Sequence, residues 1–107
     1  MNLKKLIKNN RYLYNCYISL RDLLLQVTWL AKGRPVPPPH IIKQRRVLWA
    51  QRAFGLHTLV ETGTFLGDMV NAALHAFDTI YSIELSEDLC RRAQDRFADY
   101  PKVHILK

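Results

Sequence analysis

The pattern of apolar and polar residues changes from helical to strand-like near the middle of this 107-residue chain. Over residues 3–31 apolar positions recur at helical spacing, and polar side chains follow the opposite face, which predicts one long amphipathic helix. The predicted apolar face comprises Leu6, Leu13, Tyr17, Leu20, Leu24, Val27 and Ala31, widened by Cys16, Leu23 and Leu30. The predicted polar face comprises Lys4, Lys8, Arg11, Asn15, Ser19, Asp22 and Gln26.

A short connector follows this helical segment, which we place at residues 1–33. Gly33 favours a helix end, and the prolines that follow predict a stiff, extended linker over residues 34–40. A second helix is expected from the end of the linker to Gly55. Its apolar positions are Ile41, Ile42, Leu48, Trp49 and Ala53, and its polar face carries Lys43, Arg45, Arg46 and Arg52.

The remaining residues read as strands alternating with helices. Thr58 to Val60 is a short β-rich run, which predicts a strand buried on both faces of a parallel sheet. Gly63 and Gly67 then bracket a turn, a helix follows, and Thr79 to Ile83 restores a strand. The helix is indicated by Val70, Ala73, Leu74 and Phe77 at helical spacing. Together these segments form a right-handed βαβ unit, in which both strands end at the same edge of the sheet.

One more helix and one more strand complete the chain. Ser86 is a favourable N-cap, and Glu87 and Asp88 suit the first turn of a helix. Tyr100-Pro101 ends that helix, and residues 103–106 predict a third parallel strand. The predicted fold is therefore α/β, with a parallel sheet over residues 41–107 and an N-terminal helical extension.

The charge is distributed unevenly. The net charge is +7, but residues 1–56 carry eleven Lys and Arg against one acidic residue, whereas residues 57–107 are net acidic. No nucleic-acid-binding motif accompanies the basic half, so its cations are interpreted mainly as solvated side chains. The N-terminal helix is expected to dock on the domain or on a second copy, with peripheral contact to an anionic membrane through residues 1–31 as the alternative.

Cys16 and Cys90 lie far apart in the sequence, and neither belongs to a C-x-x-C pair. This arrangement favours reduced thiols in a cytoplasmic protein and gives no support to a zinc site. No uncharged apolar run is long enough to span a membrane, and no signal peptide is recognisable.

The candidate chemistry lies at the ends of the first two strands. Glu61 closes one strand and Glu84 follows the next, so both carboxylates are expected at one crevice. The glycine turn between them does not fit the dinucleotide fingerprint, because Phe65 stands where the second glycine would approach a pyrophosphate. Gly-Lys-Ser and Gly-Lys-Thr are both absent, so the P-loop pattern fails as well. Two acidic side chains suit a cationic ligand better than an anionic one.

The segment Glu61-Thr-Gly63-Thr-Phe-Leu-Gly67, followed by Glu84, resembles the first motifs of class I S-adenosylmethionine-dependent methyltransferases. Phe65 is a departure, since the common form of that motif has glycine there. The resemblance implies that Glu61 and the backbone around Thr62, Gly63 and Thr64 contact the methionine moiety of S-adenosylmethionine. It further implies that Gly67 allows close packing at the helix start, that Glu84 binds both ribose hydroxyls, and that Leu85 packs against adenine.

The same resemblance implies a seven-stranded sheet of order 3-2-1-4-5-7-6, of which residues 41–107 supply strands 1–3. We therefore expect a partial methyltransferase domain, with the catalytic and acceptor-binding residues beyond Lys107 and the methyl acceptor unidentified. His57, His75 and His104 are interpreted as structural.

Two alternatives stay open: a non-catalytic truncated relative that binds a membrane or a partner through its basic helices, and another Rossmann-like enzyme with a nucleotide cofactor.

Overall fold

The computed structural model describes residues 10–107. The chain divides into two compact units, with the boundary between Lys43 and Gln44. Each unit is built from the elements that the hydrophobic pattern predicts.

The first unit contains helix α1 (Arg11–Ala31). The Asn10 side chain caps its N-terminus by accepting hydrogen bonds from the backbone N–H groups of Tyr12 (3.0 Å) and Leu13 (3.3 Å). The chain leaves the helix through Gly33, whose φ of 78° lies in the left-handed region. Trp29 Nε1 then donates to the Pro35 carbonyl across 2.9 Å and ties the connector to the helix. The part of the predicted helix before Asn10 lies outside the described residues.

Helix α2 (His40–Phe54) crosses the boundary between the two units. It starts within the segment predicted as linker and ends at Phe54, directly before the Gly55 that the sequence predicts as its limit. The Pro39 carbonyl accepts from Ile42 N at 3.0 Å, so the last proline supplies the first carbonyl of the helix. Val47 on this helix packs against the hydrophobic core of the second unit.

The second unit is organised around a parallel three-stranded sheet of order β1-β2-β3. The strands are β1 (Thr58–Thr62), β2 (Thr79–Ile83) and β3 (Val103–Leu106). In the register of β1 and β2, Glu61 lies opposite Ser82. Because side chains alternate along a strand, Glu61, Ser82 and Glu84 lie on one face of the sheet. The α/β fold with a parallel sheet is therefore confirmed.

Helices α3 (Asp68–Ala73) and α4 (Glu87–Arg96) connect the strands. The stripe predicted for α3 is buried, and it packs with the strands and with buried residues of α4 into one cluster. That cluster consists of Val70, Ala73, Leu74, Phe77, Ile80, Cys90, Ala93, Phe97 and Ile105. Lys102, directly before β3, holds the segment between α3 and β2, because its Nζ donates to the carbonyls of Leu74 and Phe77. The core thus lies between the sheet and the connecting helices.

The prediction that β1 is buried on both faces is wrong for the described residues. Val60 is 63% exposed, and Tyr81, its neighbour on β2, is also exposed. The residues of the core cluster lie on the opposite face from Val60 and Tyr81, so one face of the sheet is covered and the other is open.

Candidate functional site

The candidate site lies at the carboxyl ends of β1 and β2. The loop from Gly63 to Gly67 leads from β1 into α3, and both glycines have positive φ, at 79° and 84°. Gly63 N–H donates to the Ile83 carbonyl at 2.7 Å, and Gly67 N–H donates to the Thr64 carbonyl at 2.9 Å. The loop is therefore bonded both to β2 and to itself.

Phe65 occupies the middle of this loop in a conformation that glycine normally supplies. Its φ is 50°, in the left-handed region that is strongly unfavourable for a bulky side chain. Its backbone N–H donates to Glu84 Oε2 at 2.8 Å. The ring is 63% exposed, so packing of the side chain does not explain the conformation. The hydrogen bond to Glu84 holds the backbone there.

Glu84 is buried although it carries a carboxylate. Its Oε1 accepts from Ser86 N–H at 3.0 Å, and its Oε2 accepts from Phe65 N–H. Hydrogen bonds from the backbone of Ser86, Phe65 and Leu85 lower the pKa of Glu84 below its ordinary value, with that from Ser86 the largest cause. Glu84 is therefore held as an anion that is fixed in orientation.

Glu61 is anchored by a buried hydroxyl on the neighbouring strand. The Ser82 hydroxyl, fully buried, donates to Glu61 Oε1 at 2.6 Å. Ser82 Oγ also lies 2.6 Å from Thr64 Oγ1. Since Ser82 has one proton and gives it to Glu61, Thr64 donates to Ser82. This chain of hydroxyls connects the loop to Glu61 and directs the Thr64 side chain inward.

Gly67 directly precedes α3 and packs against Phe97, the residue after α4. A Cβ at this position would come within 2.6 Å of Phe97 Cε2, in the buried core. Nothing lies within 4 Å of the corresponding position at Gly63. Glycine is therefore required at position 67 by both the close packing and the positive φ. At position 63 only the positive φ requires it.

Three side chains of the loop and strand ends near the buried Glu84 are exposed. Leu85 is 88% exposed, and Phe65 and Thr62 are exposed as well. The structure thus brings all seven predicted site residues to one rim of the sheet: Glu61, Thr62, Gly63, Thr64, Gly67, Glu84 and Leu85. Contact with a ligand stays a prediction for each of them.

The sequence pattern did not reveal two residues that build the site. Ser82 was visible only as a polar residue in an apolar strand, and the structure shows it bonded to Glu61 and close to Thr64. Arg96 lies on a helix at whose start the sequence shows only capping signals, but its Nη1 donates to the Leu66 carbonyl and lies 3.3 Å from Asp68 Oδ1. Arg96 therefore ties the end of the loop and the start of α3 to α4.

The histidines lie apart from this rim. His57 precedes β1 and pairs with Asp78 at 2.7 Å, at the opposite end of the strands. His104 stacks on Tyr81 with ring centroids 4.8 Å apart, on the uncovered face of the sheet. Within residues 10–107, His, Cys, Asp and Glu side chains form no group of three or more that could hold a metal ion. In the same residues, no helix combines the length and hydropathy needed to cross a bilayer.

Comparison with known proteins identifies the fold. The sequence matches no protein-family model, and no curated protein matches it significantly. Fifteen chains of solved structures match significantly. One is a provisionally assigned caffeoyl-CoA O-methyltransferase from Staphylococcus aureus, with 18% identity and a TM-score of 0.55, covering 92% of this chain and 49% of that one.

Two further structures show the same likeness. The methyltransferase domain of a bacterial Hen1 has 16% identity and a TM-score of 0.52, with coverage of 60% of this chain and 38% of that one. The YcgJ protein from Bacillus subtilis has 10% identity and a TM-score of 0.53, with coverage of 62% and 29%. The chain thus spans less than half the length of these structures and has the fold of class I methyltransferases over that part.

Proposed function

We propose that the rim formed by β1 and β2 binds S-adenosylmethionine, and that this chain is the cofactor-binding part of a methyltransferase. The observation that carries the proposal is the orientation of Glu84. Each of its carboxylate oxygens accepts one backbone N–H, from Ser86 or from Phe65. A carboxylate has about four acceptor positions in total, so acceptor positions beyond these two hydrogen bonds are left for a pair of vicinal hydroxyls. A ribose is such a diol.

The loop is poorly suited to a diphosphate. Phosphate-binding loops direct several backbone N–H groups at the ligand. Here the N–H groups of Gly63, Phe65 and Gly67 donate to the Ile83 carbonyl, the Glu84 carboxylate and the Thr64 carbonyl. Because these donors are already used within the protein, a nucleotide cofactor with a pyrophosphate would gain little from the loop. This supports a nucleoside without phosphates.

The charge of the rim supports a cation. Glu61 and Glu84 contribute two carboxylates at the same edge of the sheet, and Ser82 orients the first of them. S-adenosylmethionine carries an ammonium and a sulfonium, and both are favoured beside anions in a partly desolvated site. The exposed Leu85 and Phe65 provide apolar surface next to Glu84 for a flat base.

When bound, S-adenosylmethionine supplies an activated methyl group. The residues described here would bind and orient it, with Glu84 on the ribose, Glu61 on the amino group of the methionine moiety, directly or through water, and Leu85 against the adenine. The residues that contact the methyl acceptor are expected from other parts of the protein, and the acceptor is left open.

Isothermal titration of the purified protein with S-adenosylhomocysteine and, in parallel, with NAD tests this proposal. The demethylated product is a suitable ligand because it keeps the ribose, the base and the amino group. Saturable binding of S-adenosylhomocysteine without binding of NAD is expected. Binding of NAD in preference would contradict the proposal and support the nucleotide-cofactor alternative.

A further inference from the structure

The apolar face of α1 is exposed along its length. Seven large side chains on this face are between 41% and 59% exposed: Leu13, Tyr17, Leu20, Leu23, Leu24, Val27 and Leu30. By contrast, Trp29 on another side of the helix is buried and bonded to the connector. An exposed apolar surface of this extent marks a contact surface.

The spacing on this face is that of helix pairing. From Leu13, apolar residues follow at intervals of four, three, four, three and four residues, which is the heptad pattern of a coiled coil. We define the seam as Leu13, Tyr17, Leu20, Leu24, Val27 and Ala31. Leu23 and Leu30 widen it on one side. On its other side the seam borders a shallow hollow of about 340 Å³, which a side chain of a facing helix could enter. The hollow is lined by Tyr17, Leu20, Arg21, Leu24, Leu25 and Thr28.

The charges along the helix favour another helix over a lipid surface. A helix that lies on an anionic membrane has Lys and Arg along its polar face. Between Tyr12 and Ala31 the charged residues are Arg21 and Asp22 alone, and these two pair with each other at 2.9 Å. Their charges therefore neutralise one another, and no row of cations borders the seam between Tyr12 and Ala31. Arg11 and Lys32 lie at the two ends of this stretch.

We propose that the seam of α1 pairs with the same seam of a second copy of this chain. A second copy carries a face of the same length and heptad spacing. The apolar side chains of the two seams can therefore interdigitate about a two-fold axis. Seven side chains that are about half exposed leave roughly 600 Å² of apolar surface per copy. Full coverage of this surface in two copies would bury roughly 1,200 Å², which is the lower end of the range of specific, stable interfaces.

Sedimentation equilibrium of the whole protein tests the pairing. In the seam variant, Leu20→Lys with Leu24→Lys, two like charges enter the seam of each copy. In the matched control, Asn15→Lys with Ser19→Lys, the same charges with the same spacing enter the exposed polar face. We expect a dimer for the wild type and the control, and at least a tenfold weaker dimer for the seam variant, with unchanged helical circular dichroism.

Three outcomes would overturn the proposal. A wild type that is monomeric at all concentrations excludes pairing, and its flotation with phosphatidylserine vesicles would indicate lipid instead. A seam variant that still dimerises like the wild type would place the contact elsewhere, for example on the uncovered sheet face. If the seam variant loses its helical signal, Leu20→Ala with Leu24→Ala replaces it, and undiminished association of that variant overturns the proposal.

Discussion

The backbone N–H of Phe65 donates to Glu84 Oε2 across 2.8 Å, which fastens the loop after β1 to the acid after β2. One carboxylate thereby does two things: it stabilises an unfavourable backbone conformation at Phe65, and it is itself held as an oriented anion. The loop after β1 and the acid after β2 therefore depend on each other for their conformation. A substitution of Phe65 should alter the orientation of the Glu84 carboxylate, and a substitution of Glu84 should alter the backbone at Phe65.

The packing role of Gly67 can be separated from its backbone role. Gly67→Ala and Gly63→Ala place an L residue at nearly the same positive φ, but only the first brings a Cβ against Phe97. The strain of a left-handed residue costs about 1–2 kcal/mol in both variants, and overpacking adds about 1–3 kcal/mol at Gly67. Urea unfolding should show Gly67→Ala as the less stable variant by at least about 1 kcal/mol. If both variants lose the same free energy of unfolding, the Phe97 ring moves aside at no cost.

The conformation of Phe65 predicts an unusual order of stability among substitutions. Phe65→Gly should be more stable than Phe65→Ala by about 0.5–1 kcal/mol, because glycine adopts a positive φ without steric cost but loses more entropy on folding. The exposed ring contributes little packing in either comparison. Thermal or urea unfolding of the two variants measures the difference. The reverse order, with alanine the more stable, would argue against a left-handed residue at this position.

The hydroxyl chain at Ser82 should behave as a coupled unit. Ser82→Ala removes a donor to Glu61 and leaves the buried Thr64 hydroxyl without that acceptor, at a cost of about 1–3 kcal/mol. In a double-mutant cycle with Thr64→Val, the coupling free energy should exceed about 0.5 kcal/mol. Additive effects of the two substitutions, measured by urea unfolding, would indicate that the two hydroxyls do not interact.

The lowered pKa of Glu84 gives a pH dependence of known sign. The folded state binds this proton less tightly than the unfolded state, so Glu84 stabilises the fold above its ordinary pKa of 4.5. That stabilisation decreases as the pH falls below 4.5 towards the lower pKa of the folded state. Accordingly, the wild type should be more stable than Glu84→Gln at neutral pH, and the difference should shrink in acid.

Asp99→Asn is a suitable control for that titration, since it removes an acidic group from an exposed position. It shows how much of the pH dependence comes from the removal of any one exposed carboxylate. If the difference between the wild type and Glu84→Gln is constant from pH 7 into acid, the backbone hydrogen bonds do not favour the ionised form.

Much of the fold followed from local sequence signals. The predicted bounds of β2 and β3 coincide with those observed, because Asp78, Glu84 and Pro101 interrupt the apolar runs close to where the strands end or begin. Ser86 caps α4 as predicted, with its Oγ accepting from Leu89 N. Such signals act over a few residues, and they are readable from one sequence.

The features that were missed depend on distant parts of the chain. Val60 was expected to be buried because apolar runs in parallel sheets usually are, but its burial depends on what covers that face. Arg96 reaches the Leu66 carbonyl across thirty residues of sequence, and no periodicity encodes that contact. The left-handed backbone of Phe65 is likewise set by Glu84, on another strand, and is unexpected for an aromatic residue.

The most direct test of the account is the affinity of Glu84 variants for S-adenosylhomocysteine, measured by isothermal titration above pH 6, where Glu84 is ionised. The wild type and the control Asp99→Asn should bind alike, while Glu84→Gln should bind more than about tenfold more weakly, since it loses charge-assisted hydrogen bonds to the ribose. Circular dichroism should confirm that Glu84→Gln is folded under the same conditions. Undiminished binding by folded Glu84→Gln, or no binding by the wild type, would contradict the assignment of this rim as the cofactor site.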